Sequence, residues 1–300
     1  MVDLREAYAT CERLARAHYE NFPVASALIP RRMRHHIAAV YAFARTADDF
    51  ADEGQRPQAE RLRLLDAWHA RLLSSVSDGV VPSRQDGEPA ESPDIFLALS
   101  ATIRECALPL GLFEDLLSAF RQDVTVSRYS TWTDLLEYCR RSANPIGRLV
   151  LRVAGYRSDR FDVQSDAICT ALQLTNFWQD LRVDHARGRI YVPAEEFLAR
   201  SACEDDLARD RLTPEWRQAL ASAVARTRDL FALGRPLCDH MRGRLGHELR
   251  ATWLGGMRIL DKLEAADFDP AADRVKLRRG DAPWFVWNLA TWRPSPHAEL

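Results

Sequence analysis

Two acidic segments stand out as places where this 300-residue chain could do chemistry. The first is Phe43-Ala44-Arg45-Thr46-Ala47-Asp48-Asp49-Phe50-Ala51-Asp52-Glu53. Its surroundings are strongly helical, so Asp48 and Asp52 stack on one face about 6 Å apart, with Asp49 one step around. Tyr41 and Arg45 extend that face backwards. Like charges at this spacing repel, and a helix that turns them inward needs a cation to offset them. Carboxylate oxygens are hard ligands that suit Mg²⁺, which takes one or two of them and completes its shell with water and substrate phosphate. The second segment is Gln173-Leu174-Thr175-Asn176-Phe177-Trp178-Gln179-Asp180-Leu181-Arg182-Val183-Asp184, where Asn176, Asp180 and Asp184 recur every four residues with Gln173 just before them.

An acidic helix end washed by solvent is the plain alternative for either stripe alone. Two such stripes in one chain argue for two metal-binding walls facing one another across a helical bundle, with a diphosphate between them. Loss of diphosphate from an allylic or cyclopropylcarbinyl carbon leaves a carbocation. Several Mg²⁺ ions and arginines neutralise the departing oxygens, and an apolar, aromatic pocket keeps water from the cation.

The rest of the chain reads as a helical scaffold for these stripes. Leu4, Ala7, Tyr8, Cys11, Leu14, Ala15 and His18 follow helical spacing, as do Leu62, Leu65, Trp68, His69 and Leu72, and then Phe113, Leu116, Leu117 and Phe120. One unbroken helical pattern lies between Pro30 and Pro57, and another runs from about Ser158 to His185. Pro93 and Pro214 sit near further helix starts, and Pro193 follows a loop. Ser77–Ser92, rich in Gly, Pro and Asp, reads as a solvent loop rather than a domain boundary, because both flanks are helical. The expectation is all-α: a bundle of about ten helices in a single domain over 1–300, with a core over about 5–265 and a Trp-rich tail over about 281–300.

Composition narrows the function. Lys+Arg number 41 against 43 Asp+Glu, for a net charge of −2, which leaves no cationic excess for a nucleic-acid binder. With 47% hydrophobic residues the chain is not intrinsically disordered. Six widely spaced cysteines form neither a zinc motif nor a disulfide framework, and a reducing cytoplasm is the expected setting. No apolar run approaches a membrane span.

The two acidic segments, together with Gly188-Arg189-Ile190-Tyr191-Val192-Pro193, resemble the signature set of the squalene/phytoene synthase family in order, spacing and helical setting over about residues 10–265. The resemblance implies an all-α isoprenoid-synthase fold with a central cavity, dependence on several Mg²⁺ ions bridging the substrate diphosphate, and an isoprenoid diphosphate substrate. It implies metal ligation by Asp48, Asp49 and Asp52 and by Asn176, Asp180 and Asp184. Diphosphate contacts fall to His18, Arg45, Arg189 and Gln173, and the catalytic residues would be Arg45, Tyr41, Tyr138 and Asn144. For Tyr41 and Tyr138 a core tyrosine is the bland alternative. Asp123 is more simply an acid near a helix end.

Within the family, His18–Ser26, Ser142-Ala143-Asn144-Pro145-Ile146-Gly147 and Gln179-Asp180 look most like the members that serve bacterial hopanoid formation. Those members ionise presqualene diphosphate, rearrange its cyclopropane and capture the cation with water. Two departures from the condensing members agree. Tyr19-Glu20-Asn21 replaces a Ser- and Lys-rich stretch, and Gly256 stands where a tyrosine usually reaches diphosphate. An enzyme that ionises one diphosphate needs fewer donors than one that joins two. No NADPH is expected, and an enzyme that forms presqualene diphosphate is the implied partner. Pro145 is expected to interrupt a helix and free a backbone carbonyl; that carbonyl or the Asn144 amide would hold the capturing water, with a simple packing kink as the alternative. The rival readings are a condensing prenyltransferase and, from another class, a non-catalytic isoprenoid-lipid carrier.

Two surface features complete the expectations. His35 and His36, flanked by Arg31, Arg32 and Arg34, read as a solvated basic helix start. The tail Ala282–Trp292 carries Trp284, Trp287 and Trp292. It either makes a peripheral contact with the inner membrane or, as preferred, packs onto the bundle or a partner chain.

Overall fold

The computed structural model describes residues 3–17, 28–52, 54, 56–77, 83–270 and 275–294. The helices are α1 (Leu4–Ala17), α2 (Arg31–Asp52), α3 (Gln58–Ser77), α4 (Ser92–Cys106), α5 (Leu110–Thr125), α6 (Trp132–Ser142), α7 (Asn144–Val153), α8 (Asp159–Ala186), α9 (Ala194–Leu198), α10 (Pro214–His240), α11 (Gly243–Ala265) and α12 (Ala282–Ala290). Among the described residues the only β pairing is one isolated bridge, Arg128 with Ile190. The fold is all-α. Both long uninterrupted patterns become single helices, α2 and α8, with Pro30 and Pro57 just outside the ends of α2.

The chain forms two compact units, Met1–Thr125 with Pro145–Ser158, and Val126–Asn144 with Asp159–Leu300. In the first unit α2 packs against α1, α3, α4 and α5. Its apolar side enters an aromatic core in which Phe43 stacks on Trp68 at 5.7 Å and meets Phe113 edge-on at 5.6 Å. Trp68 also contacts Phe96 at 4.4 Å and Phe50 at 5.4 Å. Such ring pairs each add about 0.5–1.5 kcal/mol beyond the area they bury, and they hold α2 in one rotational setting. In the second unit α8 lies against α6, α10 and α11, pinned by the buried Trp178 indole, which donates to Thr227 Oγ1 at 2.8 Å.

Two expectations are corrected. His36 is buried, not solvated: its Nδ1 lies 3.0 Å from Thr102 Oγ1, and burial pulls its pKa below the ordinary histidine value. Arg31 and Arg32 are exposed, as a basic helix start would be. Pro145 does not interrupt a helix. α6 ends at Ser142 with Ala143 as its cap, and Pro145 falls in the first turn of α7, where its missing N–H leaves no helical bond unmade.

The tail helix α12 has a built anchor. Asp281, buried just before it, accepts from Lys262 Nζ at 2.6 Å, Arg258 Nε at 3.0 Å and the Arg278 amide at 2.7 Å. The Lys262 hydrogen bond, then the Arg278 amide and Arg258, hold its carboxyl far below the usual aspartate value. A depressed folded-state pKa contributes stability that is complete above the unfolded value, near 3.8, and is lost as the pH falls below it. We therefore expect α12 to loosen on acidification below about pH 4, read as a change in Trp fluorescence. Asp281→Asn should show the loosened signal already at neutral pH; a variant that titrates like the parent chain would contradict this.

Candidate active site

Each acidic stripe lies on an accessible strip of a helix whose neighbouring positions are mostly buried. On α2 the neighbours Ala42, Phe43, Thr46, Ala47, Phe50 and Ala51 are buried, whereas Tyr41, Arg45, Asp48 and Asp49 are partly exposed and Asp52 is exposed. Arg45 is drawn onto the acids: its Nη1 is 3.3 Å from Asp48 Oδ2 and its Nη2 is 2.6 Å from Asp49 Oδ1. With side-chain exposures of 20% for Arg45, 38% for Asp48 and 31% for Asp49, these pairs are too wet to count for much stability. Burial, opposed by the Arg45 charge, raises the Tyr41 pKa above 10, so its hydroxyl stays a donor at neutral pH.

The end of α2 is fixed from α3. Arg61 donates to the carbonyls of Ala51 at 2.7 Å, Gly54 at 2.9 Å and Arg56 at 3.0 Å, satisfying acceptors that a helix C-terminus leaves open. A cleft of about 700 Å³ in the same unit is lined by Asp49, Thr46 and Phe50 from α2, with Leu14, Arg56 and Glu88 among its other walls.

On α8 the pattern repeats. Leu174, Thr175, Phe177, Trp178, Gln179 and Leu181 are buried, while Gln173, Asp180 and Asp184 are partly exposed and Asn176 is exposed. The helix ends at Gly188, whose φ of +79° suits glycine. The Gly188 amide bonds to His185 O at 2.9 Å and the Arg189 amide to Asp184 O at 2.8 Å, a Schellman turn that keeps Arg189 beside the last acid of the stripe. The following loop runs along residues 127–130, with the Ile190 amide bonded to Ser127 O at 3.0 Å.

That loop brings together rings that sequence reasoning largely missed. Tyr191 stacks on Phe177 at 3.7 Å and 5°, and Tyr129 and Tyr138 complete a four-ring cluster with centroids 5.5 Å apart. Tyr138 is expected at the site from the family resemblance; Tyr129, Phe177 and Tyr191 come from separate segments, and no local spacing joins them to it. Asn144 is buried and its Oδ1 accepts from the Thr170 hydroxyl at 2.9 Å. Asp123 lies near the end of α5, and His18 falls outside the described residues.

Among the described residues, no three His, Cys, Asp or Glu side chains gather closely enough to form a metal cluster of their own. The donor set nevertheless fits Mg²⁺. It consists of carboxylate and amide oxygens only, presented on accessible strips, and such an ion draws its remaining ligands from water and substrate phosphate. Among those residues, too, no helix is long and apolar enough to cross a membrane.

An all-α scaffold with an Asp-rich strip on α2, and a second on α8 in the unit that also holds the aromatic cluster, is of the isoprenoid-synthase type. The family model for squalene/phytoene synthase matches residues 15–281, and the chain belongs to that family. The hydroxysqualene synthase of Rhodopseudomonas palustris is 36% identical over 261 residues, covering 86% of this chain and 84% of that protein. The hydroxysqualene synthase of Zymomonas mobilis is 37% identical over 285 residues, covering 91% and 88%. The crystal structure of squalene synthase HpnC from Alicyclobacillus acidocaldarius matches with a TM-score of 0.80 at 39% identity, over 89% of this chain and 96% of that one.

Proposed function

We propose that this chain is a hydroxysqualene synthase, a lyase that converts presqualene diphosphate and water to hydroxysqualene and diphosphate. Two relatives bear that name at 36% and 37% identity over most of their length. The observation that carries the choice within the family is Gly256. A Cβ there would lie 2.3 Å from Phe231 Cζ and 3.0 Å from Leu172 Cδ2. Phe231 is fully buried, so Gly256, which the family resemblance matches to a diphosphate-directed tyrosine of condensing members, has no room for a side chain in this chain. A site that ionises one diphosphate can spare that donor.

The substrate C–O bond breaks and its electron pair leaves with the diphosphate. Asp48, Asp49 and Asp52, and Asn176, Asp180 and Asp184, would hold Mg²⁺, which when bound would supply charge neutralisation for that leaving group. Arg45 and Arg189 present planar guanidinium forks to diphosphate oxygens, with Gln173, His18 and the protonated Tyr41 as further donors. The faces of Tyr129, Tyr138, Phe177 and Tyr191 stabilise positive charge on the rearranging carbon skeleton and exclude stray water. Asn144 is oriented by Thr170; its Oδ1 keeps a second lone pair for an O–H of the capturing water. The reaction is redox-neutral, so this reading calls for no nicotinamide. A partner enzyme supplies the presqualene diphosphate.

The solved relative described as a squalene synthase favours a condensing enzyme as the second reading. Separate incubations with presqualene diphosphate and with farnesyl diphosphate, each with Mg²⁺, decide between them. Hydroxysqualene from the first and no turnover in the second is the expected pair of results. Consumption of farnesyl diphosphate alone would reject the lyase, and binding of both without turnover would leave a carrier.

A further inference from the structure

The outward face of α12 is unlike the rest of the surface. Trp284 turns inward over the Arg258 guanidinium at 5.2 Å, and beyond the helix the Trp292 indole donates to Asp239 Oδ1 at 2.7 Å. These contacts, with the Asp281 anchor, realise the packed-tail reading for one side of the helix. The other side is left out. Pro283, Val286, Trp287 and Ala290 follow i, i+3, i+4, i+7 spacing and all are exposed, Val286 by 68% and Trp287 by 69%. Leu277, just upstream, is 43% exposed.

Charge identifies what this face meets. Residues 275–294 contain four cations, Lys276, Arg278, Arg279 and Arg293, all exposed, and one acid, Asp281. That acid is buried and already paired with Lys262 and Arg258. An otherwise slightly acidic chain thus collects a basic collar around its most exposed apolar helix. A second copy is a poor occupant. Two or three large apolar side chains fall well short of the roughly 1,000 Å² a stable interface needs, and two-fold pairing would set one collar against the other. Trp at the interfacial level with Lys and Arg at the phosphates is the chemistry of a bilayer surface.

We propose that α12 and residues 276–279 dock this protein on an anionic lipid bilayer, with Val286 and Trp287 entering the headgroup–acyl boundary and Lys276, Arg278 and Arg279 contacting the headgroup anions. Docking does not depend on the reaction assigned above, because it is read without substrate. The test is co-sedimentation of the full chain with vesicles of phosphatidylcholine alone or mixed with phosphatidylglycerol. The parent chain should sediment with the mixed vesicles and not with phosphatidylcholine alone, and added salt should weaken binding. Val286→Ser/Trp287→Ser and, separately, Lys276→Gln/Arg279→Gln should each lower the partition coefficient about tenfold or more. All four side chains are solvent-exposed, so a melting curve matching the parent's is the folding control. Three outcomes would overturn the proposal: a parent chain that stays in the supernatant, variants that sediment like the parent, or a parent dimer that Trp287→Ser disperses in ultracentrifugation without any vesicle binding.

Discussion

Asp48→Ala and Asp180→Ala should each cut turnover of presqualene diphosphate by about three powers of ten, equivalent to about 4 kcal/mol of transition-state stabilisation, while leaving the fold in place. The size follows from the chemistry. Diphosphate leaves as a multiply charged anion, and a missing metal ligand withholds charge from the transition state, where it is worth most. The small structural cost follows from the geometry. Asp48 is 38% exposed and shares Arg45 with Asp49, so its removal leaves the 2.6 Å Arg45–Asp49 pair intact and relieves repulsion along the stripe. The melting temperature should therefore stay within a few degrees of the parent's. Calorimetric titration of Mg²⁺ in the presence of pyrophosphate gives a readout without turnover, and both variants should bind more weakly. If the two stripes serve one leaving group, the double variant should be little worse than either single one. Activity within tenfold of the parent chain in either variant would remove these carboxylates from the reaction.

The helices that carry these residues were legible because hydrophobic period and proline punctuation are local signals. α2 ends inside Pro30 and Pro57, and α8 follows the pattern read from Ser158 to His185. The acidic strips were legible for the same reason: a four-residue spacing fixes a helix face whatever packs around it. What escaped depends on partners distant in sequence. His36 looked solvated among arginines, yet Thr102, 66 residues away, buries and bonds it. The Tyr129–Tyr138–Phe177–Tyr191 cluster needs two helices and two loops to meet. Asn144-Pro145 suits both the interior of a kinked helix and a fresh helix start, and the break at Ala143 decided it. The tail meets its packing reading on one face of α12, through Trp284 on Arg258, and Trp292 beyond the helix bonds to Asp239.

A buried ion pair that no local pattern announced carries the other large expected effect. Arg71 on α3 and Glu88 in the 83–91 connection are bonded to each other with side chains only 1% exposed. Glu88 Oε2 also accepts from the Gln85 amide at 2.9 Å, and the Arg71 guanidinium lies over Phe96 at 4.6 Å. Burial pulls the Arg71 pKa below its ordinary value and the Glu88 charge opposes that pull; the guanidinium remains charged. Arg71→Met keeps much of the apolar stem against Phe96 but strands a carboxylate in the interior. It should destabilise the fold by about 3–5 kcal/mol, a loss on the order of ten degrees in melting temperature. Charge, rather than shape, is what the site cannot tolerate unbalanced. Glu88 Oε1 is buried without a hydrogen-bond partner, so the ion pair is itself imperfectly satisfied. Arg71→Met/Glu88→Gln removes both charges and retains an oxygen for the Gln85 amide, and it should recover most of the loss in thermal or urea unfolding. A double variant as unstable as Arg71→Met alone would assign the cost to lost packing on Phe96 and would leave the buried charge no part in holding the 83–91 segment to α3.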